Sequence, residues 1–197
     1  MQYFFRFITA LSITTYSLIS LSAPYIQAEL TAADTELKQY YFAAARLGDT
    51  TLMQAFMDAG VSPDQTNEKG YTPIMIATYN GQSAMVDYLL KHGADACAKD
   101  NRGNTALMAA IFRAEVGIAK TLMTQPCNNP NHQNNAGQTP LMYAALFNRT
   151  ILIDALKSKG AKFDLKDKSG NSAADLAIAQ GNDALAVQLK TGKTNIE

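Results

Sequence analysis

The chain has few of the residues on which catalysis and metal binding usually depend. Among its 197 residues there are two cysteines, two histidines and no tryptophan. Neither His92 nor His132 lies in a serine, cysteine or carboxylate pattern typical of a catalytic triad or a metal site, and we expect both on the surface. No glycine-rich phosphate-binding loop follows a strand pattern. The sequence therefore predicts a protein without enzymatic activity, cofactor or metal.

An excess of charge of one sign is also absent. The 17 lysines and arginines equal the 17 aspartates and glutamates, and no basic run is present. Because nucleic-acid binding usually needs a basic stripe or patch, we expect no nucleic-acid partner. The apolar fraction of 47% is that of an ordinary globular protein.

The first 28 residues contain no acidic residue and a single base, Arg6. An uncharged stretch at 7–23, then Pro24 and a small residue at Ala28, is typical of a secretory signal peptide cleaved after Ala28. The alternative is an uncleaved membrane anchor, but the stretch is rich in serine and threonine and short for a spanning helix of about 20 apolar residues. We therefore expect export to the periplasm and no membrane association after cleavage.

What the chain has instead is a repeat of about 33 residues. Its clearest mark is the series Gly70, Gly103, Gly137 and Gly170, each followed two residues later by Thr or Ser and then by Pro or Ala. The threonine can cap a helix and proline suits a first helical turn. Apolar residues at helical spacing then predict a second helix that ends at Gly93 or Gly160. Such a period indicates stacked helix-turn-helix units.

These residues resemble ankyrin repeats. The boxes Thr72-Pro73-Ile74-Met75, Thr105-Ala106-Leu107-Met108 and Thr139-Pro140-Leu141-Met142 are similar to the Thr-Pro-Leu-His consensus of that family, with methionine in place of histidine. The resemblance implies an all-α ankyrin-repeat solenoid of about five helix-turn-helix units with short hairpin-like loops. We place a lead-in at 29–36, units at about 37–69, 70–102, 103–136, 137–169 and 170–190, and a tail at 191–197. The loop from Pro126 to Gly137 departs from the consensus and carries one extra residue.

The two cysteines fall in neighbouring loops of this repeat. Cys127 occupies the position of Ala94 one unit earlier, and Cys97 lies three residues after Ala94. In an exported protein this placement favours a structural disulfide, which an oxidising compartment permits. The alternative is a pair of free thiols, which would leave room for a redox-active protein.

The repeat phase also predicts a binding surface, because repeat arrays use an extended concave face to hold other proteins. Loop tips and the last residues of each first helix form this face. The predicted contact residues are Arg46, Leu47, Glu68, Lys69, Tyr71, Tyr79, Asn80, Arg102, Asn104, Phe112, Arg113, Gln138, Leu146 and Phe147. Aromatic residues flanked by arginines are the composition of an interface hot spot.

The resemblance implies a monomeric protein-binding scaffold whose partner is another protein. Short exported chains of this kind resemble bacterial periplasmic ankyrin proteins associated with catalase, which implies a role in oxidative stress and resistance to peroxide. Two alternatives stay open at this point. One is a periplasmic immunity protein that blocks a delivered toxin, and the other is a redox-active protein that uses Cys97 and Cys127.

Overall fold

A computed structural model describes residues 23–191 of the chain, with side chains from residue 35 onward. The chain divides into two compact units, residues 1–37 and 38–197. Of the first unit, the structure describes the helical backbone from residue 23. The predicted signal peptide at 1–28 and the predicted tail at 191–197 lie largely outside the described residues, and both stay predictions.

The described part of the chain consists of ten α-helices without a strand, which confirms the predicted all-α repeat solenoid. The helices are α1 (Ala23–Leu47), α2 (Thr50–Asp58), α3 (Pro73–Tyr79), α4 (Ser83–Lys91), α5 (Ala106–Arg113), α6 (Val116–Met123), α7 (Pro140–Leu146), α8 (Thr150–Ser158), α9 (Ala173–Ala179) and α10 (Asp183–Thr191). They follow one another as five helix-turn-helix pairs. Residues 29–36, predicted as a lead-in, are part of α1. No helix among the described residues is both long and apolar enough to cross a membrane.

The first helix of each middle pair is buried on nearly all sides. In α3, residues 73–78 are all buried, and in α5 so are residues 106–111. A helix that is apolar all round is stable in water only when neighbours cover it, and the helices before and after it in the stack do so. Proline at the first position of α3 and α7 removes an N–H that would otherwise have no partner.

The second helix of each pair is amphipathic. Helix α4 buries Met85, Val86 and Leu89, and α8 buries Leu152, Ile153 and Leu156 in the same pattern. This spacing places the apolar residues on one stripe of the helix and leaves the other side to solvent. The buried residues of all five pairs form one continuous core from Tyr41 to Leu189.

The turn between the two helices of a pair requires a left-handed residue in every repeat. Gly48, Gly81 and Gly181 have φ values of 75°, 68° and 74°, and Ala114 and Asn148 adopt φ values of 62° and 53° at the equivalent positions. Glycine reaches this conformation without a Cβ clash, and asparagine tolerates it better than most residues. The turn is therefore constant in shape, and it brings the ends of successive first helices into register.

Candidate protein-binding surface

The same side-chain hydrogen-bond pattern supports every loop tip. Asn67, Asp100, Asn134 and Asp167 each lie three residues before a tip glycine. In each loop the Oδ1 atom accepts hydrogen bonds from the backbone N–H groups two and four residues further on, at 2.8 to 3.0 Å. Because the side chain satisfies the turn internally, each tip has a fixed shape without a regular strand ladder.

Backbone hydrogen bonds then join each tip to the next. Asn101 N donates to Lys69 O at 3.1 Å, Asn135 N to Arg102 O at 2.9 Å, and Lys168 N to Ala136 O at 2.9 Å. The tips therefore form a continuous row along the stack. Side chains at equivalent tip positions are held in line, which is what an extended contact surface requires.

Five aromatic side chains lie beside this row and contact one another across three successive repeats. We call them the aromatic band: Tyr71, Tyr79, Phe112, Tyr143 and Phe147. Ring centroids are 5.4 Å apart for Tyr71 and Tyr79, 6.4 Å for Tyr79 and Phe112, 4.9 Å for Phe112 and Phe147, and 5.7 Å for Tyr143 and Phe147. Three of the four contacts are edge-to-face, the arrangement favoured by the ring quadrupole.

The band stays partly open to solvent. Phe112 is 41% exposed, and the other four rings are half-buried. Rings that contact one another and still present a face to water make a preorganised apolar surface, since little rotamer freedom remains to be lost on binding. This is the feature that distinguishes the band from ordinary core packing.

A network of buried polar side chains lies next to the band. The Tyr143 hydroxyl donates to Asn104 Oδ1 at 2.9 Å, and Asn134 Nδ2 donates to the same atom at 2.8 Å. Asn104 Nδ2 in turn donates to Asp100 Oδ2 at 3.0 Å. The network joins three repeats and fixes the position of the Tyr143 ring.

Two tyrosines of the band, Tyr79 and Tyr143, have a pKa raised above the ordinary value of 10.0. Burial raises the pKa of Tyr79, and the neighbouring Tyr71 and Asp100 raise it further. Burial also raises the pKa of Tyr143, while the hydrogen bond from Asn134 and the charge of Arg102 act in the opposite direction.

The predicted contact residues fall into three groups by burial. Exposed are Arg46, Leu47, Glu68, Lys69, Asn80, Arg102, Phe112 and Arg113; half-buried are Tyr71, Tyr79, Gln138, Leu146 and Phe147. Asn104 is the exception, because it is 8% exposed and its side chain belongs to the network below Tyr143. It supports the surface and does not face a partner.

Two residues of this surface were not predicted from the sequence. Tyr143 completes the band from the middle of α7, at a position where the two preceding repeats carry Ile76 and Ala109. Arg149 donates to the carbonyl groups of Ile111 and Phe112 at 3.2 and 3.1 Å, which satisfies two carbonyls at the end of α5 and positions the Phe112 backbone.

The predicted disulfide is present. The Sγ atoms of Cys97 and Cys127 are 2.07 Å apart and the Cα atoms 6.0 Å apart. The bridge lies beside a cavity of about 180 Å³ that His132 and Lys99 also line. Asp95 is close to both sulfur atoms, but sulfur atoms joined in a disulfide do not supply the thiolates that a metal site needs.

The two histidines differ from each other. His92 is exposed and stacks on Tyr88, as expected of a surface residue. His132 is half-buried, and its Nε2 lies 2.7 Å from Gly103 O. The expectation of a surface position therefore holds only in part for His132, because the irregular loop folds back onto the preceding tip.

Comparison with known proteins identifies the repeat. The family described as ankyrin repeats (3 copies) matches residues 41–129 and 113–196. The chain belongs to the ankyrin-repeat family. Ankyrin repeats mediate protein-protein interactions and are in general non-catalytic, so the repeats imply a protein-binding scaffold.

Similar proteins include chains of very different activity. The potassium channel AKT2/3 of Arabidopsis thaliana is 33% identical over 138 residues, which is 70% of this chain and 17% of the channel. The phosphocholine transferase AnkX of Legionella pneumophila is 31% identical over 140 residues, 68% of this chain and 15% of the transferase. Human ankyrin repeat domain-containing protein 63 is 32% identical over 133 residues, 64% of this chain and 34% of that protein. The chain thus spans about a third or less of these relatives, and the shared part is the repeat array.

Proposed function

We propose that the chain is an exported, non-catalytic scaffold that engages a partner protein through the aromatic band, in the periplasm, and there supports resistance to peroxide. The observation that carries the binding role is the contact of five rings across three repeats with their faces still partly open. Aromatic side chains and arginine are the residue types that dominate interface energetics.

Three observations support the export and stress parts of the proposal. The N-terminal segment has the order of charge, apolar run and small residue that secretion uses. A disulfide between Cys97 and Cys127 is stable in an oxidising compartment. The likeness to small periplasmic ankyrin proteins associated with catalase suggests that the partner is an enzyme of peroxide defence.

Partner capture tests the proposal. Purified wild-type protein and a variant with Tyr79→Ala, Phe112→Ala and Phe147→Ala are each immobilised and exposed to periplasmic extract, and the bound proteins are identified by mass spectrometry. A matched control carries Ile151→Ala and Val187→Ala, which remove exposed apolar side chains from second helices. Circular dichroism and thermal unfolding establish that all three proteins are folded.

We expect the wild type and the control to retain the same partner and the band variant to lose it. Equal capture by the band variant would contradict binding through the rings. A captured toxin would replace the stress role with immunity, and growth of a deletion strain in peroxide would separate the two roles independently.

A further inference from the structure

Cys97 occupies a repeat position from which side chains reach the next loop of the stack. The equivalent residues of the flanking repeats are Asp64 and Asn131, which, like Cys97, lie three residues before the Asn or Asp that supports a tip. Asp64 Oδ1 accepts from Asp95 N at 2.8 Å, and Asn131 Oδ1 accepts from Lys162 N at 2.7 Å. The approach of Cys97 to the next loop is therefore set by the repeat stack as well as by the disulfide.

Asp95 lies beside the two sulfur atoms. One carboxylate oxygen of Asp95 and the Sγ atoms of Cys97 and Cys127 all lie within 4.8 Å of one another, and Oδ1 is 4.0 Å from the Cys127 sulfur. Ligand atoms around a tetrahedral zinc ion lie about 3.5–3.8 Å apart, because the bonds are about 2.0–2.2 Å to oxygen and about 2.3 Å to sulfur. Once the S–S bond is broken, movements of no more than about 2 Å bring all three atoms to these separations.

Hydrogen bonds hold the carboxylate of Asp95 in place. Cys97 N donates to Asp95 Oδ1 at 2.8 Å, and Asp95 N donates to Asp64 Oδ1 at 2.8 Å. Among the described residues, no N–H or O–H group donates to Asp95 Oδ2. Supporting hydrogen bonds of this kind orient a metal ligand, and here they leave one oxygen available for an ion.

The sulfur atoms are accessible from solvent. Cys127 is exposed, Cys97 is half-buried, and both line the cavity of about 180 Å³ together with Lys99 and His132. A lysine on the wall of the cavity favours the thiolate form of a cysteine, which is the form that binds metal. His132 is outside the group of close ligand atoms, and its Nε2 lies 2.7 Å from Gly103 O. Three protein ligands are therefore present, and a fourth position is left to water.

We propose that reduction converts the bridge between Cys97 and Cys127 into a binding site for one zinc ion, held by the two thiolates and the carboxylate of Asp95. Two thiolates and a carboxylate suit Zn²⁺, because thiolate sulfur is a poor ligand for magnesium and calcium and carboxylate oxygen is a poor ligand for Cu⁺. The disulfide and the metal exclude each other. The site is separate from the aromatic band and does not depend on the proposed partner.

The conversion is balanced when a dithiol is the reductant. The two sulfur atoms of the dithiol become joined to each other, the S–S bond between Cys97 and Cys127 breaks, and two electrons and two protons pass to the cysteines. Zn²⁺ then displaces both thiol protons to solvent, while Asp95 binds as the carboxylate. Exchange with an oxidised dithiol reverses the sequence and releases the ion.

Cobalt and zinc binding to the whole purified protein tests the site. The protein is reduced with dithiothreitol, freed of it by gel filtration without oxygen, and titrated with Co²⁺, whose charge-transfer absorption reports thiolate ligands. Isothermal titration calorimetry then measures the affinity for zinc. The variants are Asp95→Asn, Cys97→Ser and, as the matched control, Asp164→Asn, which alters an exposed aspartate at the equivalent position of the last loop. The oxidised wild type is titrated in parallel, and circular dichroism establishes that the reduced proteins are folded.

We expect the reduced wild type and Asp164→Asn to bind one ion per chain, with thiolate-to-cobalt absorption and release of about two protons per ion at pH 7. Asp95→Asn should bind zinc at least about tenfold more weakly, since even the loss of a residue that only supports a ligand costs about 10–100-fold. Cys97→Ser should lose at least as much affinity. The oxidised wild type should show no thiolate-to-cobalt absorption.

Other outcomes overturn the site in distinguishable ways. Absence of cobalt absorption in the folded, reduced wild type would refute metal binding by the cysteines. Equal zinc affinity of Asp95→Asn and Asp164→Asn would assign the ion to the sulfur atoms alone and refute the three-ligand site. One ion for two chains would show that the ligands come from different molecules, and equal binding by the oxidised protein would refute the dependence on reduction.

Discussion

The ring of Phe112 meets the ring of Phe147 edge-to-face at 4.9 Å, although the two residues belong to successive repeats. Phe112 is in the last turn of α5 and Phe147 directly follows α7. The left-handed residues Ala114 and Asn148 come two residues and one residue later, respectively. The contact exists because the two turns have the same shape and the two helices are in register. A surface made this way depends on the repeat stack as much as on the rings.

A threonine forms the N-cap of both α3 and α7, but the two threonines lead to opposite predictions for the free energy of unfolding. Thr72 Oγ1 is buried without a hydrogen-bond partner among the described residues, whereas Thr139 Oγ1 accepts from Met142 N at 3.2 Å. Thr72→Val should raise the free energy of unfolding by about 1 kcal/mol, because it removes an unsatisfied buried hydroxyl. Thr139→Val should lower it by about 1 kcal/mol through loss of the cap.

Urea unfolding of both variants measures the difference. If Thr72→Val proved as destabilising as Thr139→Val, the Thr72 hydroxyl would have a hydrogen-bond partner in solution.

Close packing of the tips predicts that alanine destabilises the protein more at Gly103 than at Gly60, although both glycines have a similar φ. A Cβ at Gly103 would lie 2.7 Å from Asn135 Oδ1 and 2.9 Å from Asn135 N, whereas a Cβ at Gly60 would meet no atom within 4 Å. Gly60→Ala should cost about 1 kcal/mol, the strain of a left-handed alanine. Gly103→Ala should cost roughly 1–3 kcal/mol more, because the row of tips must move. Denaturant unfolding measures both losses of unfolding free energy. Equal losses in the two variants would show that the tips are not closely packed against one another.

The disulfide is expected to be a structural element of the fold. Replacing Cys97 and Cys127 together with serine should lower the free energy of unfolding by roughly 3 to 4 kcal/mol, because a closed loop of 30 residues no longer restricts the unfolded chain. Reduction of the wild type with dithiothreitol should lower stability to the same level. Thiol titration without reductant should detect no free thiol; rapid cycling under mild peroxide would instead favour the redox-active alternative.

The raised pKa of Tyr79 predicts that the protein becomes less stable as the pH rises above 10. Its pKa in the folded protein lies above the ordinary value of 10.0, so on titration the unfolded chain releases this proton first. The stability that depends on the neutral phenol is complete below pH 10 and decreases as the pH rises from there toward the folded pKa. Tyr79→Phe should therefore lose less stability than the wild type between about pH 9 and pH 11. An identical loss in both proteins would show that Tyr79 ionises normally.

Backbone geometry was the part of the structure that the sequence predicted well. The tip glycines and the turn residues recur because the chain must adopt positive φ there, and few other residues do so. Repetition then gives the pairing of helices and places Cys97 and Cys127 in adjacent loops. These features depend on which residue type occurs at the same position of each repeat, and that can be read from a single sequence.

Side-chain contacts between repeats were predicted less well. Asn104 occupies a tip position and yet is buried, because Tyr143 of the next repeat and Asn134 of the next tip both bond to its side chain. His132 was expected at the surface because it lies in no catalytic or metal-binding pattern, and the path of the irregular loop that half-buries it has no repeat from which it could be predicted. The Asn or Asp that lies three residues before every tip glycine was a visible signal, and it would have predicted the side-chain support of the tips.

The affinity of the captured partner for Phe112→Ala tests the central claim most directly. Phe112 is at the centre of the aromatic band, and Ile151→Ala provides the control because Ile151 is more exposed, at 62% against 41%, and lies on a second helix. Isothermal titration calorimetry should show a dissociation constant raised by about tenfold or more for Phe112→Ala and by less than about twofold for Ile151→Ala. Unchanged affinity in a folded Phe112→Ala protein would contradict recognition through the aromatic band.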